Sequence, residues 1–281
     1  HNNLEGCFMK NLYKGMTINN SENDNKNIKN LLLYSLGSLF SKKKLAFTLA
    51  EVLITIGIIG IVAAMTIPTL INKKQKAEIE TQLKENYSII QQSLKMAEND
   101  DIAIDSYLAE NIESVKSWFY TNLAPYMKYS HVCFNAEGCW QSMGPTKTLA
   151  GSVARYNQTN IGVGYNIVTI KLNNGTNVSF DSYGTNDIKT LLGRNCTYED
   201  KALGIFIDVN GDRKPNIIGK DIYVAVWTDK GLLPAGIDET EATVDSNCSA
   251  TANTINAGYY CLLKVKNNGW KIPDDVWNKK I

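Results

Sequence analysis

Lys42-Lys43-Lys44-Leu45-Ala46-Phe47-Thr48-Leu49-Ala50-Glu51 leads directly into an apolar segment that ends at Ile71. The segment from Phe47 to Ile71 contains one ionisable side chain, that of Glu51. A helix of these 25 residues would be roughly 37 Å long, enough to cross a bilayer core of about 30 Å. Burying a carboxylate in the middle of such a core costs on the order of 2.5–3.5 kcal/mol. Glu51 therefore needs a compensating charge.

A new chain terminus beside Glu51 would supply that charge. Cleavage of the Ala46–Phe47 bond places an α-amino group one helical turn from the carboxylate, on the same chain or on a neighbouring one. The order of basic run, small residue, Phe-Thr-Leu-x-Glu and long apolar helix resembles the prepilin signal of type IV pilins and type II secretion pseudopilins. In that family a membrane peptidase cuts before the Phe and methylates its amine, and the Glu helps to set subunit register in a filament. The resemblance implies that Phe47 becomes the methylated terminus and that Glu51 is the register residue.

Two other interpretations of the apolar segment fit less well. A secretory signal peptide has an apolar core of about 7–15 residues before a small-residue cleavage site. The segment here is longer, and its charge lies inside it. An ordinary single-pass anchor fits the length but gives no reason for Glu51 or for the Phe-Thr-Leu boundary. The family usually has Gly before the cut, where this chain has the similarly small Ala46.

The charge distribution predicts an orientation. Residues 1–46 form the predicted leader, whose seven Lys and three acidic residues give a net charge of +4; subtracted from the +1 of the whole chain, this leaves about −3 for the mature part. Basic residues before a span keep the N-terminus in the cytoplasm. We therefore expect a single-pass inner-membrane protein whose C-terminal part lies outside, and later a periplasmic or extracellular filament.

One amphipathic helix is predicted to follow the span. Over residues 72–100, apolar residues recur at steps of three or four and form one stripe: Ile79, Leu83, Tyr87, Ile90, Leu94 and Ala97. Pro68 should kink or locally melt the helix, because it removes one backbone hydrogen bond. A further short helix is predicted within Ser114–Tyr129.

The remainder, 101–281, is predicted to contain antiparallel strands. Tyr165–Leu172 and Thr176–Phe180 alternate apolar and polar residues around Asn-Asn-Gly, a strong hairpin signal. Gly204–Val209 and Asp221–Trp227 form a second pair around a long loop, and Cys261–Val265 is predicted as a further strand. The apolar face of such a sheet needs cover, which the amphipathic helix supplies. We therefore predict an α+β, pilin-like fold in which a long N-terminal helix packs on an antiparallel sheet.

Five of the six cysteines lie beyond the span, where disulfides can persist. Short sequence separation favours Cys133 with Cys139 and Cys248 with Cys261, although spacing alone does not fix connectivity. The second pair also resembles the C-terminal disulfide loop of many pilins. Cys196 is left free or in an intermolecular bond. Zinc is the alternative use of these cysteines, but the sequence has no Cys-x-x-Cys and one histidine after the leader.

The Asp208–Asp221 loop is the one segment that indicates site chemistry. It offers several hard oxygen ligands of the kind that calcium prefers, namely Asp208, Asn210, Asp212 and either Asn216 or Asp221. It is not an EF-hand, because Gly219 stands where the twelfth-position acid belongs and strand-like segments flank it. The loop also resembles loops of some pilin-like proteins that hold calcium. The alternative is a turn whose Asx side chains bond their own backbone.

Function follows from the signal and from what the rest of the chain lacks. The sequence has no Gly-rich phosphate loop, His-Glu-x-x-His motif or zinc spacing, and no enzyme is predicted. The mature charge gives no overall attraction to nucleic acid. The resemblance implies a minor pilin or pseudopilin whose partners are prepilin peptidase, other pilin subunits and the inner-membrane assembly platform. The alternative is a membrane-anchored adhesin or binding module that uses the same export signal.

Overall fold

The computed structural model describes residues 48–100, 111–140, 146–154, 167–183, 202–228 and 230–281, together with residues 189 and 193. The predicted leader, the Ala46–Phe47 junction and Cys196 lie outside the described residues. The chain divides into two units, residues 1–63 and residues 64–281. What the structure describes of the first unit is the beginning of one long helix.

That helix, α1, extends from Leu49 to Asn99. Its large apolar residues up to Ile71 are exposed, as expected for a segment whose solvent is lipid. From Ile79 onward every residue of the predicted stripe is buried, with exposures between 0% and 5%. The prediction of one long helix, apolar first and amphipathic later, is confirmed. Pro68 was predicted to kink the helix or to melt it locally. Local melting is wrong, since the helix continues through this residue, and a kink stays a prediction.

A short helical region follows, and the described residues then form a six-stranded sheet. Helix α2 covers Ile112–Trp118 and continues as one π-helical turn, Phe119–Leu123, and one 3₁₀ turn, Ala124–Tyr126. All neighbouring strands are antiparallel and adjacent in sequence: β1 Tyr129–Phe134, β2 Ile167–Leu172, β3 Asn177–Tyr183, β4 Ala202–Asp208, β5 Ile222–Thr228 and β6 Gly231–Pro234. Both predicted strand pairs are present, so the α+β fold class is confirmed.

The central strands are buried on both faces. Ile205 and Ile207 of β4 and Tyr223 and Trp227 of β5 belong to the same core cluster as the apolar stripe of α1. The alternate residues of β4 and β5, such as Phe206, pack with Tyr259 and Leu263 in a second cluster. Strand β5 therefore has no polar face, and its seven residues are all buried.

Three short helices complete the chain: α3 Glu241–Asn247, α4 Cys261–Asn267 and α5 Asp274–Asn278. The prediction of a strand at Cys261–Val265 is wrong, because these residues begin α4. Cys261, Leu262, Leu263 and Val265 are all buried, and a short apolar run of this kind fits a buried helix as well as a strand.

Candidate functional site

The start of α1 is fixed by a reciprocal capping arrangement. The backbone N–H and the hydroxyl of Thr48 donate to Glu51 Oε2 at 2.8 and 2.9 Å, and the Glu51 backbone N–H donates to Thr48 Oγ1 at 3.2 Å. This is the capping box that Ser/Thr-x-x-Glu sequences form, in which each side chain satisfies the other's backbone donor. The sequence signal was present in Thr48-Leu-Ala-Glu51. Glu51 therefore has a local role at the helix start besides any role between subunits.

Helix α1 also meets the requirements of length and composition for a membrane span. Among the described residues it is the one helix long and apolar enough to cross a bilayer, and none of its most apolar 18-residue window is buried. Ile54, Ile58, Ile61 and Met65 are each more than half exposed. A row of side chains of this kind is stable in lipid or against other apolar helices.

The second candidate site is the β4–β5 loop, residues 209–221. Asp208 ends β4 and Asp221 immediately precedes β5, and both side chains are completely buried. The Val209 N–H donates to the Asp221 carbonyl at 2.9 Å and closes the neck of the loop. Asn216 and Asn210 are also buried, with 2% and 9% of their surface exposed. Together with Lys220, which is 7% exposed, the loop and the end of β4 thus hold five buried polar side chains.

Asp221 organises the interior of this loop. Its Oδ2 accepts from the Asn216 N–H at 2.7 Å and from Asn210 Nδ2 at 3.1 Å, and its Oδ1 accepts from the Ile217 N–H at 2.7 Å. Burial raises the pKa of Asp221 to about 6, and these hydrogen bonds oppose the shift. Both asparagines are therefore positioned around one carboxylate.

Asp208, at the end of β4, is the second completely buried carboxylate. The backbone N–H groups of Asn210 and Gly211 act as hydrogen-bond donors to its carboxylate. Within the described part of the chain, no donor reaches Oδ1 of Asn210 or Oδ1 of Asn216. Burial, and next the charge of Asp221, raise the pKa of Asp208 well above its ordinary value; the nearby backbone amides of Asn210 and Gly211 offset only part of the shift. Buried acceptors almost always have a donor or an ion. Among the described residues of this loop, Oδ1 of Asn210 and Oδ1 of Asn216 are the exceptions.

Asp212 has different partners from the buried carboxylates. Its carboxylate accepts from Lys171 Nζ at 2.7 Å and from Asn177 Nδ2 at 3.2 Å, and its side chain is 58% exposed. Partial burial raises the pKa of Asp212, but the two hydrogen bonds outweigh it and hold the pKa below its ordinary value. The structure thus brings together Asp208, Asn210, Asn216 and Asp221 of the predicted set, and pairs Asp212 with β2 and β3 instead.

The loop is fastened to two neighbouring segments. Lys147 forms backbone hydrogen bonds of 3.0 Å to the Asn216 carbonyl and 2.8 Å to the Ile218 N–H. Gly219 lies so close to the Cys261 sulfur that a Cβ on this glycine would be 2.8 Å from it. The polar interior is therefore held by residues distant in sequence.

Two disulfides join the pairs that the sequence favoured. The Cα atoms of Cys133 and Cys139 are 5.7 Å apart, and those of Cys248 and Cys261 are 5.0 Å apart. The second bond is completely buried and encloses residues between α3 and α4. Among the described residues, no group of three or more His, Cys, Asp and Glu side chains could hold a metal. The buried side chains with acceptor oxygens at the β4–β5 loop are two carboxylates and two amides.

The sequence does not predict a set of polar contacts between α1 and the C-terminal residues 271–277, here called the clasp. Glu80, which is 6% exposed, accepts from Lys271 Nζ at 2.7 Å and from the Ile272 N–H at 3.0 Å. Trp277 Nε1 donates to Asn72 Oδ1 at 2.7 Å. No local pattern reveals these partners, because Glu80 and Lys271 are 191 residues apart.

Two models of known protein families match the chain. A model described as the prokaryotic N-terminal methylation motif matches residues 41–67. With the long apolar helix, this motif defines a type IV pilin-like protein. A second model matches residues 69–279, most of the chain, and the protein belongs to this family, described as Family of unknown function (DUF6613). No curated protein and no solved structure matches the chain.

Proposed function

We propose that the protein is a structural subunit, a minor pilin or pseudopilin, of a type IV pilus or type II secretion filament. The observation that carries this proposal is the methylation motif at residues 41–67, which overlaps the exposed apolar part of α1. Such a motif implies processing by prepilin peptidase. After this cleavage, the N-terminal helix is extracted from the inner membrane and packs with the helices of other subunits.

The apolar surface of α1 supports polymerisation through this helix. Glu51 is the one ionisable side chain between Phe47 and Ile71. Its capping contacts with Thr48 use one of its two carboxylate oxygens, Oε2. Because the Glu51 side chain is exposed, we expect the other oxygen to pair with the methylated amine of a neighbouring Phe47. An ion pair in lipid or in an apolar helix bundle is little screened, so it would set the axial register of subunits strongly.

The first experiment examines processing. Mass spectrometry of the protein from its native host should find a terminus at N-methyl-Phe47. An intact Ala46–Phe47 bond in assembled protein would contradict the proposal.

The second experiment separates the charge of Glu51 from its capping role. Glu51→Gln retains the capping box, since Gln serves at this position as Glu does, but it removes the charge; Glu51→Ala removes both. We expect both variants to reach the membrane at wild-type level and to be lost from sheared filaments. Glu85→Gln, the same change at an exposed site of α1, should assemble normally.

Three outcomes would count against the proposal. Normal incorporation of Glu51→Gln would remove the register role and leave Glu51 as a helix cap. Equal loss with Glu85→Gln would show that assembly responds to any charge change on α1. Processed wild-type protein that stays entirely in the membrane fraction would favour an anchored adhesin or binding module.

A further inference from the structure

We infer that the residues just beyond the apolar segment form a surface that binds the anionic headgroups of membrane phospholipids. This surface, here called the headgroup surface, consists of Lys73 and Lys74 on α1 and of Trp277 and Lys280 in the C-terminal segment. All four residues belong to the unit of residues 64–281. The inference rests on the proposed role of α1 as a membrane span, and it does not depend on filament assembly.

The first step is the distance of the headgroup surface from lipid. Within this unit, the α1 side chains of Met65 and Leu70 are more than two-thirds exposed. Such residues need lipid or apolar partners, so the hydrocarbon core ends close to Ile71. At 1.5 Å per residue, Lys73 and Lys74 lie roughly 3–4.5 Å further along the helix axis. The headgroup region of one leaflet is about 5–7 Å thick, so both ammonium groups lie at the level of the phosphates.

The second step places the C-terminal segment at the same level. Asn72, the first polar residue after the apolar segment, accepts from Trp277 Nε1 at 2.7 Å and donates to Asn278 Oδ1 at 3.2 Å. One helical turn further, Lys76 is paired with Asp274. These contacts hold α5 beside the first polar turns of α1. Tryptophan concentrates at this level of membranes, because an indole combines an apolar body with a polar N–H.

The third step is the charge at this end of the unit. Residues 72–76 and 274–280 contain five lysines and two aspartates, a net charge of +3, whereas the mature chain has a net charge of about −3. The hydrogen bond and the charge of Lys76, and to a lesser extent the charge of Lys73, lower the pKa of Asp274. The lysines of α1 therefore act on α5 as well, and the positive charge is concentrated where the phosphates of a bilayer would lie.

The three lysines of the headgroup surface are all exposed: Lys73, Lys74 and Lys280. One lysine close to an anionic membrane surface strengthens association with it roughly fivefold. An acidic protein or a nucleic acid is the other kind of partner that a basic surface can bind. The position favours lipid, because a bound macromolecule would have to fit between the folded unit and the bilayer.

The test uses the full-length processed protein in vesicles of phosphatidylcholine and anionic phosphatidylglycerol. Electron paramagnetic resonance of spin-labelled lipids gives the ratio of the affinities of the protein for the two headgroups. The headgroup variant combines Lys73→Gln, Lys74→Gln and Lys280→Gln. The control variant makes the same change at three exposed lysines further along the unit: Lys84→Gln, Lys95→Gln and Lys128→Gln.

The wild type and the control variant should prefer phosphatidylglycerol roughly fivefold at low salt. In the headgroup variant the ratio should fall to about one, because the charges that attract the phosphates are removed. In 1 M KCl, where the Debye length is about 3 Å, the preference of the wild type should also weaken. Thermal melts of both variants should match the wild type, which separates a lost lipid preference from misfolding.

A second measurement examines the level of Trp277. Phosphatidylcholine with a nitroxide on its headgroup should quench part of the tryptophan fluorescence of the wild type, and Trp277→Phe should lose most of this quenching. Three of the other four tryptophans are buried and out of reach of the nitroxide: Trp118, Trp140 and Trp227.

An equal preference for phosphatidylglycerol in the wild type and the headgroup variant would overturn the inference, and so would an equal loss in the control variant. Headgroup quenching that is unchanged in Trp277→Phe would overturn the placement of α5. Retention of the wild type on a polyanion resin, without a preference for phosphatidylglycerol, would assign the surface to an acidic macromolecule.

The failure of this inference can be told from the failure of the proposed function. Protein that alkaline carbonate removes from the vesicles would refute the membrane span and with it the proposed function. Protein that stays inserted but has no lipid preference would refute the headgroup surface alone.

Discussion

Removing the Glu80 carboxylate should loosen the C-terminal segment from α1. Glu80 is 6% exposed, and its two oxygens are used by Lys271 and by the Ile272 N–H. In Glu80→Ala a hydrogen bond to a charged group is lost, which costs roughly 1.5–3 kcal/mol, and the Ile272 N–H loses its acceptor, which costs about 1–3 kcal/mol. Because the two effects share one side chain, we expect a total of about 3 kcal/mol.

The conservative variant should cost much less. Glu80→Gln keeps an oxygen for the Ile272 N–H, and Lys271, whose side chain is 67% exposed, can turn to water. We expect a loss of about 1 kcal/mol, a typical value for one hydrogen bond. For a folded unit of this size, 1 kcal/mol corresponds to about 2–4 °C in the melting midpoint. The midpoint should therefore fall by about 6–12 °C in Glu80→Ala and about 2–4 °C in Glu80→Gln.

Glu78→Ala is the control. Glu78 pairs with Arg213 at 3.4 Å, but the two side chains are 42% and 62% exposed, and exposed ion pairs contribute about 0–1 kcal/mol. Circular dichroism of the purified proteins in detergent would follow each melting transition. Equal midpoints for Glu78→Ala and Glu80→Ala would refute the reasoning, because burial would then have no effect on the strength of the contact.

Two more predictions concern the C-terminal region. Replacing Cys248 and Cys261 by Ser should lower the free energy of unfolding by about 3 kcal/mol, because the loop constraint is lost. The same change at Cys133 and Cys139 should cost less, because that disulfide closes a shorter loop (separation 6 against 13). Thermal melts in which this order is reversed would contradict the prediction. Gly258→Ala should be destabilising by at least about 3 kcal/mol, since it combines strain with overlap: φ is +97° and the new Cβ would be 2.2 Å from the Ile218 carbonyl oxygen. Gly269→Ala, with φ of +63° and nothing within 4 Å, is its control. Equal melting midpoints of the two variants would show that the close contact is relieved.

The parts of the fold that could be predicted are those whose signal is local and periodic. The stripe from Ile79 to Ala97 follows the helical period, and burial confirms each member. The β2–β3 hairpin could be predicted because the Asn-Asn-Gly turn lies between two alternating segments, and Gly175 has the positive φ of +88° that such a turn requires. Each of these features is decided within a few residues.

Features that depend on tertiary contacts were not predictable. The run from Cys261 to Val265 is apolar throughout and five residues long, so its sequence fits a strand or a buried helix equally. Packing decides in favour of the helix, because Leu262 and Val265 join the core of α1 while Leu263 joins the cluster on the other face of the sheet. The clasp at Glu80 depends likewise on partners at the far end of the chain.

The β4–β5 loop illustrates the limit most clearly. An Asp/Asn/Asp pattern indicates oxygen ligands, but it does not say which of them face inward. The inward group is decided by Asp221, which holds Asn210 and Asn216, and the outward position of Asp212 is decided by Lys171 on a separate strand. The loop is also packed by Gly219 against the buried Cys248–Cys261 disulfide. Because the polar interior and the disulfide share this contact, each limits the positions that the other can take, and the set of inward-facing side chains follows from the tertiary structure as much as from the motif.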